Sequence, residues 1–291
     1  MSIVEKALKK LQEQKSSPVV GQASSAAPAR TVFGQVVTVS PPSTPASPPL
    51  PPRRTLLIDQ AALRAAHQLP PVDQEHQMGE QYRRIKRPLI ASATGRGGPL
   101  LPSGHLIMMA SAVPGEGKTF SAINLAMSMA LEKDVRVLLV DADLAKPHIS
   151  KLLGVSSEPG LLDVLRDDSL SIESVILPTD VSGLSVLPCG KQAGDATELL
   201  ASDRMRTIVK SIGGHEQNRI VLFDSPPLLL TTEAQALAQA VGQIVLVVRA
   251  EMTPQEAVRN AIERLGHGKH VSLLLNQSKA APSEGYYYGK S

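Results

Sequence analysis

Tryptophan is absent from this 291-residue chain, phenylalanine occurs three times and tyrosine four times, so aromatics make up only 2 % of it. A core built almost without rings must come from Val, Leu, Ile, Ala and Met, and a hydrophobic content of 42 % suffices for one. Cysteine is nearly absent too. The single Cys189 excludes an internal disulfide framework and fits a reducing compartment. With no obvious base partner beside it, Cys189 reads as a small structural residue. No run reaches the roughly 18 apolar residues of a membrane span. The opening "MSIVEKALKK" carries charge where a signal peptide needs an apolar stretch, so none is expected. A net charge of +3 is small for this length. It leaves room for local basic patches and gives no case for a nucleic-acid partner.

The composition changes along the chain. Residues 1–15 read as an amphipathic helix, with Ser2 and Glu5 in capping-box spacing and Ile3, Val4, Ala7, Leu8 and Leu11 on one stripe. So short a helix must dock on something: its own domain, a partner or a lipid surface. Residues 16–72 are expected to form a Pro/Ser/Ala-rich, mostly disordered linker. "SPPSTPASPPLPPRR" is nearly free of acid and buries too little apolar area to offset its ordering entropy. From 73 to 279 short apolar runs alternate with helical segments: "LIMMAS", "VRVLLV", "LSVLP", "RIVLF", "QIVLVV" and "VSLLL". The runs are continuous, as in strands buried on both faces, and predict an α/β domain with a mainly parallel sheet flanked by helices. Residues 280–291 form a short tail holding Tyr286, Tyr287 and Tyr288, three of the four tyrosines.

The first predicted strand runs into "ASAVPGEGKTF". Ala112-x4-Gly117-Lys118-Thr119 is a Walker A loop with Ala in the first glycine position, and strand before plus helix after is its proper context. Val113, Pro114, Gly115, Glu116, Gly117, Lys118, Thr119 and Phe120 are therefore the expected ATP cradle. The glycines let backbone N–H groups converge on phosphate, and the helix N-terminus adds positive partial charge. Lys118 is placed to reach the β/γ-phosphates, and the Thr119 hydroxyl to ligate Mg²⁺. "VLLVDADLAKPH" sets Asp141 and Asp143 at the end of the second strand, where period two points both to one side. Two such acids need a cation or a proton-transfer task, unless they are solvated loop acids or a helix cap. "RIVLFDSPP" gives Asp224 as a Walker B acid for Mg²⁺. Asn276, closing "VSLLLN", either reads the adenine edge or is an ordinary turn residue. His267-x-x-His270 lacks further ligands and reads as surface loop.

Walker A, "DAD", "DSPP" and a terminal tyrosine cluster, in that order over roughly residues 76–291, resemble the bacterial tyrosine kinases. "ATELLASDRM" is similar to their recurrent intervening segment, and "DSPPLL" and "MSIVEKALKKL" look most like the autokinases of exosortase-linked exopolysaccharide systems. The resemblance implies a P-loop NTPase fold and an Mg²⁺/ATP autokinase modifying its own tail. It implies control of polysaccharide polymerisation or export with a transmembrane chain-length-determinant partner, at the inner face of the cell membrane. In that reading Lys118 neutralises charge, Thr119 and Asp224 hold Mg²⁺ with Asp141 and Asp143 also in its surroundings as metal residues, Asp141 orients or deprotonates the tyrosine hydroxyl, and Asp143 supports the metal.

The family also carries an E-x-x-R-x-x-R helix used in ring-like homo-oligomers. This chain offers Glu80, Arg83 and Lys86, followed by Arg87. Lys86 departs from the pattern and loses a bidentate fork unless Arg87 substitutes. The plain alternative is a solvated charged helix. Ala145 stands where the family often has Arg, with Lys146 nearby. Two rival readings stay open: a septum-site or partitioning ATPase, whose signature lysine would fall at Val113, and a non-catalytic nucleotide-gated scaffold.

Overall fold

The computed structural model describes residues 54–192, 194, 196–200, 202–214, 218–266 and 268–278. The amphipathic helix expected over 1–15, most of the expected linker and the tyrosine tail lie outside the described residues.

In chain order the elements are α1 Gln60–Ala65, α2 Glu75–Thr94, β1 Leu106–Ser111, α3 Lys118–Ala130, β2 Arg136–Asp141, α4 His148–Leu152, α5 Leu161–Arg166, α6 Ile172–Val175, β3 Leu177–Pro178, β4 Leu184–Leu187, α7 Ala196–Leu200, α8 Asp203–Gly214, β5 Arg219–Asp224, α9 Thr232–Ala240, β6 Gln243–Arg249, α10 Gln255–Leu265 and β7 His270–Asn276. A 3₁₀ turn at Val72–Gln74 leads into α2. The local chemistry explains the boundaries. Asp59 caps α1 by accepting from the Ala62 N–H at 2.9 Å. α2 stops at Gly95, whose left-handed φ of 72° lets its N–H reach the Ala91 carbonyl.

Seven strands form one sheet in the order β3-β4-β2-β5-β1-β6-β7. All neighbours run parallel except the short β3, which pairs antiparallel with β4. Strand alternation divides the core in two. Leu106, Met108 and Ala110 of β1 face one layer with α5, α8 and α9. Ile107 and Met109 face the other, with α2 and α3. Because β5 lies between β1 and β2, the C-terminal ends of these three strands come side by side. That edge is where ligands bind in open α/β sheets.

Two expectations need correction. The ordered domain begins well before residue 73: Leu56 pairs with Thr179, and Leu63 and Leu69 are buried. Prolines upstream dominated the composition and hid this short apolar segment. Strand β7 is not buried on both faces, since Leu273 and Leu275 are 61 % and 62 % exposed. It stands at the sheet edge, and among the described residues no helix covers that part of it.

Candidate active site

The Walker A loop leaves β1 and turns through Gly115 and Gly117, both left-handed at φ 80° and 89°. This aims the first turn of α3 at the strand ends. Lys118 Nζ donates to Asp224 Oδ1 at 2.8 Å, and Thr119 Oγ1 donates to Asp224 Oδ2 at 2.7 Å. Asp143 Oδ2 lies 3.9 Å from the same Nζ. A cavity of about 370 Å³ opens over these groups, lined by the loop from Pro114 to Phe120 and by Asp143, Ala145 and Lys146. Its far wall is Pro226, Pro227, Leu230 and Thr231, and His148 and Gln68 complete it. Pro226, Pro227 and His148 fall inside stretches the motifs had picked out, whereas nothing local in the sequence marked Gln68, Leu230 or Thr231.

The two acids of "DAD" part company. Asp141 ends β2 in register with Asp224 at the end of β5, has no exposed surface and does not line the cavity. Its Oδ2 accepts from the N–H and the hydroxyl of Ser150, each at 2.7 Å. Ser150 Oγ in turn accepts from the Cys189 N–H at 2.9 Å, tying the site to the loop before α7. Asp141 Oδ1 is buried without a hydrogen-bond partner among the described residues. Burial pushes the Asp141 carboxyl up to about 7, with repulsion from Asp224 and Asp143 adding and the Ser150 bonds opposing. Asp143 is also raised, chiefly by burial, against the pull of Lys118. Period two fails here because the strand ends at Asp141, so Asp143 follows the loop into the cavity.

The carboxylate of Glu116 points back into the protein and is 2 % exposed. Its Oε2 accepts from the Val113 N–H at 2.9 Å, and Oε1 accepts from the Thr253 hydroxyl in the loop after β6. Asn276, the last residue of β7, lies against the Walker A loop. Its Nδ2 donates to the Glu116 carbonyl and its Oδ1 accepts from the Gln277 N–H, both at 2.9 Å. Both ends of the amide that was expected to read adenine are thus engaged with backbone.

Other expected residues sit elsewhere. Glu80 and Arg83 form an exposed i,i+3 pair at 2.6 Å, and Arg87 is exposed. Lys86 is a correction: it is 4 % exposed, and its Nζ binds the Ser128 carbonyl and lies 2.8 Å from Glu132. It is fixed inside its own domain and presents nothing to a partner. Cys189 is buried and free, its thiol pushed up to about 12 chiefly by burial. His270 is exposed and His267 lies outside the described residues.

The donor set fits a small hard cation. Thr119, Asp143 and Asp224 present oxygens, which suit Mg²⁺. Among the described residues no three His, Cys, Asp or Glu form a self-sufficient metal site, so such an ion would need phosphate oxygens to complete its shell. Among the same residues no helix is long and apolar enough to cross a membrane.

Fold and site together define a P-loop NTPase domain. A family model described as an AAA domain matches residues 104–271. The chain is 36 % identical to EpsB of Ralstonia nicotianae over 64 % of its own length and 24 % of that protein. It is 32 % identical to the tyrosine-protein kinase YwqD of Bacillus subtilis over 72 % of this chain and 86 % of that one. The solved VpsO kinase domain superposes with a TM-score of 0.58 at 28 % identity, covering 70 % of this chain and 97 % of that domain. The chain belongs to the bacterial tyrosine kinase family, within the AAA domain family. It spans about a quarter of the length of EpsB.

Proposed function

We propose that this chain is an ATP- and Mg²⁺-dependent protein-tyrosine kinase that phosphorylates its own Tyr286, Tyr287 and Tyr288. The observation that carries the reading is the convergence of Lys118, Thr119 and Asp224 beneath a cavity that Asp143 also faces. Thr119 and Asp224 would hold Mg²⁺, which when bound neutralises charge on the phosphates. The loop N–H groups and the α3 N-terminus orient the nucleotide. Lys118 moves its charge from Asp224 to the transferring phosphoryl group. Asp143, lining the cavity, orients the tyrosine hydroxyl and receives its proton, while Asp141 stays behind as a buried support. A phenol near pKa 10 asks little of a base, because positioning and charge stabilisation dominate phosphoryl transfer. The remaining tyrosine, Tyr82, is 5 % exposed and its hydroxyl is pushed up to about 12 by burial, so it is a poor acceptor.

Names of relatives support the kinase activity. In our reading the protein works as a ring-like homo-oligomer with a membrane chain-length-determinant partner, at the inner face of the membrane, setting exopolysaccharide length or export. The test is to incubate the full chain with MgATP and map phosphotyrosine by mass spectrometry. Label on Tyr286–Tyr288 that Lys118→Met abolishes is the expected result. ATP hydrolysis without phosphotyrosine would make the protein a positioning ATPase, and binding without hydrolysis a scaffold.

A further inference from the structure

A second concavity, of about 970 Å³, runs between α2 and the free edge of β7. Met78, Ile85 and Pro88 of α2 form one wall, and the β7 residues Ser272–Asn276 form the other. Gln77 and Gln81 offer amides at its rim. Among the described residues β7 has a neighbour on one side only, so the N–H and C=O groups facing away from β6 are left unpaired along the groove. Leu273 and Leu275 stand exposed beside them. A flat apolar edge of this kind invites an added strand, and natural sheets normally cover it.

We propose that residues 279–291 of the same chain are its occupant, laid antiparallel along β7 with the unmodified tyrosines in the groove. This rests on the tail being the kinase's substrate only for its meaning, not for its geometry. Three observations select the occupant. The chain leaves β7 into the groove, because Gln277 and Ser278 line it. It also leaves the extended strand path there: Gln277 is left-handed at φ 57°, with its N–H held by Asn276 Oδ1. Residues 277–285, "QSKAAPSEG", then supply Pro and Gly for a connection, and Tyr286–Tyr288 follow as a β-prone segment. In an added strand Tyr286 and Tyr288 share one face and Tyr287 takes the other. One face covers Met78, Ile85 and Leu274, and the other covers Leu273 and Leu275. A ring with a polar tip suits apolar walls rimmed by glutamine. Docked in this way, the phosphoacceptors are withheld from every active site, and the tail must leave β7 before it can be modified. The groove thus stores the substrate in cis.

The test uses phosphatase-treated full-length protein without nucleotide, read by amide hydrogen exchange. Changing Tyr286, Tyr287 and Tyr288 to Ser should speed exchange across 270–276 about tenfold, with β1 unchanged as the internal reference. Leu273→Ser with Leu275→Ser, both at exposed positions, should speed exchange across 284–290 by a similar factor. Unchanged rates in both variants would overturn the proposal. Protection that vanishes on dilution would assign the groove to a second copy's tail and overturn docking in cis. Because no ATP is present, either outcome leaves the kinase assignment to be judged by phosphotyrosine mapping alone.

Discussion

Replacing Lys86 with Met tests whether that residue belongs to the fold or to an assembly surface. The last carbonyls of α3 have no intrahelical donor, and Lys86 Nζ supplies one at the Ser128 carbonyl. Its charge also faces the negative end of the helix dipole. Met keeps the apolar stem and removes only the ammonium. The lost charged hydrogen bond is worth about 1.5–3 kcal/mol. The Glu132 partner is half exposed, so solvent screens that pair to under about 1 kcal/mol. Relieving the desolvation of a buried ammonium offsets part of this, leaving a net loss of about 2 kcal/mol. For a domain of this size that lowers the melting temperature by about 4–8 °C. Calorimetry reads the shift, and Glu132→Gln should give a small fraction of it. A midpoint within about 1 °C of wild type, accompanied by altered sedimentation, would refute the capping argument and return Lys86 to the assembly surface.

Glu80→Ala combined with Arg83→Ala should leave the melting temperature nearly unchanged, since the pair is exposed, yet convert any ATP-dependent oligomer to monomer in sedimentation. Gly117→Ala should cost more in urea denaturation than Gly115→Ala. Both positions are left-handed, at about 1–2 kcal/mol of strain, but a Cβ on Gly117 overlaps Asn276 Nδ2 whereas Gly115 faces open space. Cys189 should resist iodoacetamide at pH 8 in the native protein and react on unfolding, because its thiol is buried and raised. Asp141→Asn should change the pH dependence of stability. The folded carboxyl titrates near 7 against a reference of 3.8, so the native state holds a proton that the unfolded state has released. The resulting stabilisation is complete below pH 4, declines as pH rises towards 7 and is level above. Wild-type stability measured relative to Asp141→Asn should therefore fall across that window, and a flat difference would contradict the shift.

What was legible in the sequence was chemistry set by short spacing. The Walker A loop, the acid ending β5 and the helix starting at Lys118 each lie within a dozen residues of an apolar run, and all stand where that spacing puts them. What was not legible depends on partners far along the chain. Glu116 reads as a phosphate-loop residue, but Thr253, 137 positions away, turns its carboxylate inward. Asn276 reads locally as either a base-edge residue or a turn residue, and its contact with Glu116, 160 positions away, is visible only in the fold. Lys86 stands in a surface motif by its spacing from Glu80 and Arg83 in the family resemblance, yet its ammonium is held by the Ser128 carbonyl of α3 and by Glu132 just beyond that helix. The apolar run in β7 signals a strand correctly, but whether a strand is covered is decided by its neighbours, and among the described residues β7 has one.

The separation of Asp141 from Asp143 has a consequence for charge. Three carboxylates and one lysine gather at the ends of β1, β2 and β5, and with every group ionised they would sum to −2 around Lys118. Burial raises Asp141 enough that near neutral pH it holds its proton for much of the time, which brings the sum towards −1. The proton can sit on Oδ1, the oxygen with no partner, while Oδ2 keeps both bonds from Ser150. Asp143 and Asp224 then remain to balance Lys118, and a divalent cation would carry the cluster to about +1, a sign that favours a polyphosphate. Had both acids of "DAD" faced the cavity, as strand alternation suggests, the same cation would leave the site neutral. Asp141→Asn, which fixes the uncharged state, should therefore retain nucleotide affinity within about threefold, whereas Asp143→Asn should reduce phosphotyrosine formation by two orders of magnitude or more, about the contribution of one positioned acid–base group. Nucleotide titration of the two variants, followed by a rate measurement, separates them. Equal loss of binding in both would show that Asp141 acts as a charged ligand and that its burial behind Ser150 does not hold in the working enzyme.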